Sequence, residues 1–171
     1  LPPEEYLALL TNLTGALEKQ RAIKENGIAV LVSGSIVEQL WIFDLLEAAG
    51  GWVVADDLCN GYRFCRPADG AGADPMERLI DRYIHRFPCP ARSNIEDRVP
   101  RVRELVEKSG AKGVIFLFQK FCTPHLADYP ALAAELRKDG IPVLSVEMDE
   151  SGNIEGQLKT RFGAFFEMIA G

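Results

Sequence analysis

The stretch Ile28-Ala29-Val30-Leu31-Val32-Ser33-Gly34-Ser35-Ile36-Val37-Glu38 decides how the chain folds. Its first five residues are apolar on both faces, the pattern of a parallel strand covered by helices on each side. Gly34 supplies a tight turn, and Ser35 followed three residues later by Glu38 reads as a capping box that opens a helix. The apolar run from Ile36 to Ala49 continues that helix until Gly50-Gly51 stops it. Strand, turn and helix in that order are the first half of a parallel βαβ unit.

Upstream, Leu7, Leu10, Leu13 and Leu17, with Tyr6 and Leu9 beside them, recur at helical spacing, and Gly27 offers a stop. Residues 1–27 are therefore expected to form an amphipathic lead-in helix, and residues 28–171 one domain. Downstream, Trp52 to Ala55 reads as the second strand, with Asp56-Asp57-Leu58-Cys59-Asn60-Gly61 as its polar exit loop and an irregular stretch from Tyr62 to Ala73. Asp74-Pro75 caps and starts a helix reaching about Arg86. Pro88-Cys89-Pro90 breaks it, and Ser93 with Glu96 repeats the capping signature before a helix that ends near Gly110 and is delayed or kinked by Pro100. Gly113 to Phe118 is the third buried strand; Leu126 to Lys138 is helical, with Pro130 near a new start and Gly140 closing it. Pro142 to Val146 is the fourth strand, and Leu158, Phe162, Phe165, Phe166 and Ile169 share one face of a last helix. The alternation predicts an α/β fold: a Rossmann-like or flavodoxin-like open parallel sheet of about four strands with helices on both faces.

At 171 residues, 47% apolar and 26% charged, the chain matches one globular domain that holds a core without disulfides or a structural metal. A net charge of −6 with no long basic run removes the electrostatic attraction that dominates nucleic-acid binding, so no nucleic-acid partner is expected. Apolar runs such as Val114 to Phe118 fall far short of the ~20 residues of a spanning helix, and no charged-then-apolar leader precedes a cleavage site. A cytoplasmic protein without a membrane partner is expected. The start at Leu1-Pro2-Pro3, without Met, is that expected of an excerpt from a longer polypeptide.

In open parallel sheets ligands bind beyond the carboxyl ends of the strands, where the strand order reverses. Four loops are the candidates: Ser33-Gly34-Ser35, Asp56-Asp57-Leu58-Cys59, Gln119-Lys120-Phe121-Cys122-Thr123-Pro124-His125 and Glu147-Met148-Asp149. Backbone N–H groups around Gly34 and Ser35 could face a bound anion, although neither GxGxxG nor a P-loop Lys is present and a plain tight turn needs the same glycine. Asp56-Asp57 suits a hard metal or a simple turn. Lys120 gives Cys122 a cationic neighbour, a setting for a thiolate that attacks or ligates. Cys59, Cys65, Cys89 and Cys122 are irregularly spaced, without a CxxC pair or a zinc-finger His. Cys65 and Cys89 carry no assigned role. His125 is a ligand, a proton carrier or a cap, and His85 a cation near a helix end. No catalytic residue is assigned, because nucleophilic use of Cys122 needs a base and an oxyanion site that spacing does not locate.

Gly113-Val114-Ile115-Phe116 leading into Lys120-Phe121-Cys122-Thr123-Pro124 resembles the 2-hydroxyacyl-CoA dehydratase and benzoyl-CoA reductase family. Asp56 through Arg63, Asp74-Pro75 through Arg82-Tyr83, Pro88-Cys89-Pro90, Gly140-Ile141-Pro142, and Gly156 through Arg161 followed by Ala164-Phe165 agree in order, from about residue 28 to the end. Thr123 departs from the Asp common at that position. The resemblance implies the C-terminal domain of a larger subunit of the 2-hydroxyglutaryl-CoA dehydratase D-component type. It further implies a 4Fe-4S cluster held in part by Cys122 and completed by cysteines of an N-terminal half. An acyl-CoA substrate, a homologous second subunit and an ATP-dependent activator protein that delivers an electron belong to the same expectation. No residue here indicates a flavin. The isolated chain is expected to be inactive. The alternative is a non-catalytic scaffold or electron-transfer subunit of the same fold, binding an acyl-CoA or nucleotide at the same edge.

Overall fold

Ile28–Gly34 forms a strand, β1, whose Val30, Leu31 and Val32 are fully buried. The computed structural model describes residues 1–20, 27–65, 71–85, 88–92, 94–148 and 154–171. In it β1 lies between β2 (Gly51–Asp57) and β3 (Gly113–Gln119), and β4 (Val143–Met148) pairs with β3 on its other side. All three pairings are parallel. The order β2-β1-β3-β4 is that of flavodoxin-like sheets, and it reverses direction between β1 and β3. Seven helices accompany the sheet among the described residues: α1 (Pro3–Leu17), α2 (Trp41–Ala48), α3 (Tyr62–Cys65), α4 (Pro75–Ile84), α5 (Ile95–Ser109), α6 (Thr123–Lys138) and α7 (Glu155–Ala170). The expected open α/β sheet is the observed one.

Alternation along β1 and β3 divides the core into two layers. Val30, Val32, Ile115 and Leu117 face α2 and α7, where Ile42, Leu46, Leu158, Phe162, Phe165 and Phe166 meet them. Leu31, Val114, Phe116 and Phe118 face α5 and α6, against Val99, Val102, Leu132 and Leu136. Each large apolar side chain buried this way contributes roughly 1.5–3 kcal/mol, so the aromatic face of α7, legible in the sequence, fastens one whole layer. No residue of α1 is buried, and Leu7, Leu9, Leu13 and Leu17 are exposed. No helix of the described residues is long and apolar enough to cross a membrane.

Several boundaries differ from the sequence reading, each for a physical reason. The lead-in helix ends at Leu17, well before Gly27; residues 21–26 lie outside the described ones. Ser35 does not cap a helix, since α2 begins only at Trp41 and has no side-chain cap; the Ser35 hydroxyl instead accepts from the Gln119 N–H at 2.6 Å, a partner on β3 that competes with any local cap. β2 extends through Asp57, which is buried in the sheet rather than lying in an exit loop. The stretch read as irregular opens with the short helix α3. Asp74 does cap α4, accepting from the N–H groups of Met76 and Glu77; the expected end at Arg86 and the Ser93 cap lie outside the described residues. α5 runs on through Pro100 and closes at left-handed Gly110. α6 starts at Thr123 with Pro124 in its first turn, earlier than Leu126, so Cys122 is its N-cap residue.

Candidate functional site at the strand-order reversal

The crevice is built where β1 and β3 end side by side. Gly34 pairs with Leu117, and the Ser35 N–H donates to the Leu117 carbonyl at 3.0 Å. Gly34 has φ +145°, and a Cβ there would stand 1.9 Å from the Leu117 oxygen, so only glycine lets the two backbones approach this closely. The expected anion cradle is therefore not a helix N-terminus: the Ser35 N–H and hydroxyl are both engaged with β3, and α2 starts farther along the chain.

Beneath the crevice lies a buried charged network that spacing alone does not reveal. A register shift between β1 and β2 at Val30/Leu31 sets Ser33 opposite Asp57. Both then point to the α5/α6 side, and the Ser33 hydroxyl donates to Asp57 Oδ2 at 2.8 Å. Arg63 on α3 brings its Nε to 3.2 Å from Asp57 Oδ1. Its N–H groups donate to the carbonyls of Asp57 and Gly34, and its guanidinium meets His125 Nε2 at 3.4 Å. Arg98 on α5 stands 3.8 Å from Asp57, pairs with Asp128 on α6 and donates to the Pro88 carbonyl. Burial pushes the Asp57 carboxyl upward, while Arg63, Arg98 and the Ser33 hydroxyl pull it back. Asp56 takes a different part: its Oδ1 accepts from the N–H groups of Leu58 and Tyr62 and so shapes the loop. Among the described residues, no group of three His, Cys, Asp or Glu stands close enough to hold a metal ion; of the two readings open for Asp56-Asp57, Asp56 takes the turn, and Asp57 is held by Ser33 and Arg63.

Cys59 and Cys122 share this edge. Cys59 Sγ lies 3.8 Å from the Gly34 carbonyl and 3.8 Å from His125 Nε2, in the first turn of α6. Burial pushes the Cys59 thiol up, Arg63 draws it down, and the nearby thiols of Cys89 and Cys122 push it up again. Cys89, given no role from sequence, thus belongs to the same neighbourhood; the Pro88 carbonyl held by Arg98 positions it there. Cys65 is exposed. His125 is buried, its ring tilted against Phe118 with centres 5.7 Å apart, and has its pKa lowered to about 3 by burial and then by Arg63 and Arg98. It is neutral near pH 7, with Nε2 turned to Arg63 and Cys59. His85 is instead an exposed C-cap of α4 bonded to Asp81 at 2.7 Å. Lys120 Nζ stands 5.5 Å from the Phe121 ring centre. Glu147 is exposed within β4, and Asp149 lies outside the described residues.

An open parallel sheet with an Arg–Asp network and neighbouring thiols at its order reversal defines an α/β domain of the doubly wound class, in which that edge is the candidate site. Residues 1–169 match the family described as 2-hydroxyglutaryl-CoA dehydratase, D-component, and the chain belongs to that family. The match takes in α1 as well as the sheet. Among its relatives, one of the subunits of the benzoyl-CoA reductase of Thauera aromatica is 29% identical over 99% of this chain and 45% of its own length. The beta subunit of the lactoyl-CoA dehydratase of Anaerotignum propionicum is 28% identical over 97% of this chain, and that of the (R)-2-hydroxyglutaryl-CoA dehydratase of Acidaminococcus fermentans is likewise 28% identical over 97%. The chain spans about half the length of these relatives.

Proposed function

We propose that this chain is the C-terminal domain of an iron-sulfur subunit of a 2-hydroxyacyl-CoA dehydratase or benzoyl-CoA reductase, and that it contributes Cys122 to a 4Fe-4S cluster and one wall of the acyl-CoA site. The observation that supports this most is that a family member's Cys122 stands at the start of α6, on the crevice edge that also carries Cys59. Soft thiolates select iron-sulfur clusters, which take three or four protein ligands. The half-buried thiol of Cys122 at the rim of the crevice fits a ligand set shared with another part of the protein. A bound cluster supplies one-electron transfer.

The chain's own residues supply position and polarity. Arg63 ties the ends of β1, β2 and α6 together through Gly34, Asp57 and His125. His125, neutral near pH 7, offers an acceptor to Arg63 and to the Cys59 thiol rather than a second cation. Cys59 borders the site, its Sγ 3.8 Å from His125 Nε2 and its thiol pushed up by burial. The reading includes a homologous second subunit, an ATP-dependent activator protein as electron donor, and a cytoplasmic location. An anaerobic assay of the full-length subunit, with its homologous partner and activator, tests it: turnover of 2-hydroxyacyl-CoA or aromatic acyl-CoA thioesters supports the proposal, and the 171-residue chain alone should show none. An assembly that binds acyl-CoA but turns over neither thioester class, and carries no iron, points to the scaffold alternative.

A further inference from the structure

Phe121 occupies a backbone position that ordinary folding does not favour. β3 ends at Gln119, and the Cys122 N–H donates back to the Gln119 carbonyl at 3.0 Å, closing a four-residue turn. Phe121 is the third residue of that turn and has φ +68°, the left-handed position usually taken by glycine. Among the described residues no other non-glycine has a positive φ. An aromatic residue adopts it only against strain. Burial does not offset the strain, because the side chain is 82% exposed. A residue that strains the turn and adds little to the core has its use outside the core.

The position of the ring says where that use lies. Its chain neighbours are Lys120 and Cys122, and the ammonium of Lys120 stands near the ring face. Ile36 is also exposed and is held to the end of β3 by the Gln119 side chain, which donates to the Ile36 carbonyl at 3.1 Å. Cys122 is thus preceded in the chain by an exposed aromatic group whose backbone is held in the Gln119–Cys122 turn, and the exposed Ile36 is tied to the same end of β3. An apolar surround controls how readily water reaches a metal–thiolate group and thereby its lability and potential.

We propose that Phe121 is held in its left-handed turn to act as an apolar shield over the group bound at Cys122, keeping water and oxygen from it. The inference rests on the proposed role of Cys122 as a cluster ligand. Its test uses the full-length subunit and its Phe121→Gly and Phe121→Leu variants. Without iron, Phe121→Gly should melt about 2 °C higher than the unaltered subunit, since the turn is relaxed and little burial is lost. Reconstituted anaerobically and then exposed to air, the same variant should lose its visible cluster absorption about tenfold faster, while Phe121→Leu, still apolar, should decay close to the unaltered rate. A lower melting temperature for Phe121→Gly means that the ring serves the fold and overturns the inference; so does a higher melting temperature with unchanged cluster decay. An unaltered subunit that takes up no cluster overturns the role of Cys122 and the shield together, a result distinct from failure of the shield alone.

Discussion

Replacing His125 by Gln should make the protein's stability less sensitive to acid. The ring is buried, and its pKa is lowered from 6.5 to about 3, first by burial and then by Arg63 and Arg98. Between those values the unfolded chain binds a proton that the folded chain refuses, so unfolding takes up a proton and stability falls as pH falls. The contribution is complete above about pH 6.5, is lost progressively through the window, and levels off below about 3. One such proton is worth about 1.4 kcal/mol per pH unit. The unfolded ring is only half protonated at pH 6.5, so the slope starts at half that value and the loss amounts to about 2 kcal/mol between pH 6.5 and 4.5. Gln retains an acceptor for Arg63 but does not titrate. Urea unfolding of the full-length subunit and of His125→Gln at pH 7.5, 6 and 5 measures the difference, and the gap in stability should narrow steadily toward low pH. Parallel pH profiles for the two proteins would refute the reasoning.

The charged network makes a second prediction: Arg63→Met should cost about 3 kcal/mol or more by leaving Asp57 short of a cation, and the double variant Arg63→Met, Asp57→Asn should lose clearly less than the sum of the single changes. Strict additivity in chemical denaturation would show the pair to be uncoupled. Gly34→Ala should destabilise by about 3 kcal/mol, because its Cβ meets the Leu117 oxygen at 1.9 Å and its φ is +145°; a loss below about 1 kcal/mol in thermal melting would contradict the close approach of β1 and β3. Asp74→Ala should cost about 1 kcal/mol by removing two hydrogen bonds to the first turn of α4, seen as faster amide exchange confined to that helix; uniform exchange across the domain would argue against a local cap.

What is legible in the sequence is what depends on neighbours in the chain. The apolar β1 and β3, the aromatic face of α7, the Asp74 cap and the stop at Gly110 all follow from local pattern and stand in the structure. Local pattern misleads where a distant partner wins. Ser35 carries a capping signature, yet the Gln119 N–H on β3 takes its hydroxyl. Asp57 resembles a loop carboxylate until the register shift sets it opposite Ser33 and two arginines arrive from α3 and α5. A carboxylate at the polar end of a buried strand, with Arg63 six residues on, is the available signal for that network; Arg98 and Asp128 have none, because only tertiary packing brings α5 and α6 over the end of β2. The thiol neighbourhood is half legible. Strand order places Cys59 and Cys122 on one edge, whereas the approach of Cys89 depends on the Pro88 carbonyl reaching Arg98.

The central claim concerns Cys122, and its most direct test is the iron content of the full-length subunit, purified and reconstituted without oxygen, in single Cys-to-Ala variants. Cys122→Ala should lose most of its iron and brown colour, Cys65→Ala and Cys89→Ala should keep both, and Cys59→Ala should keep iron while altering the cluster's spectrum. Full iron content and full activity in Cys122→Ala would contradict the assignment.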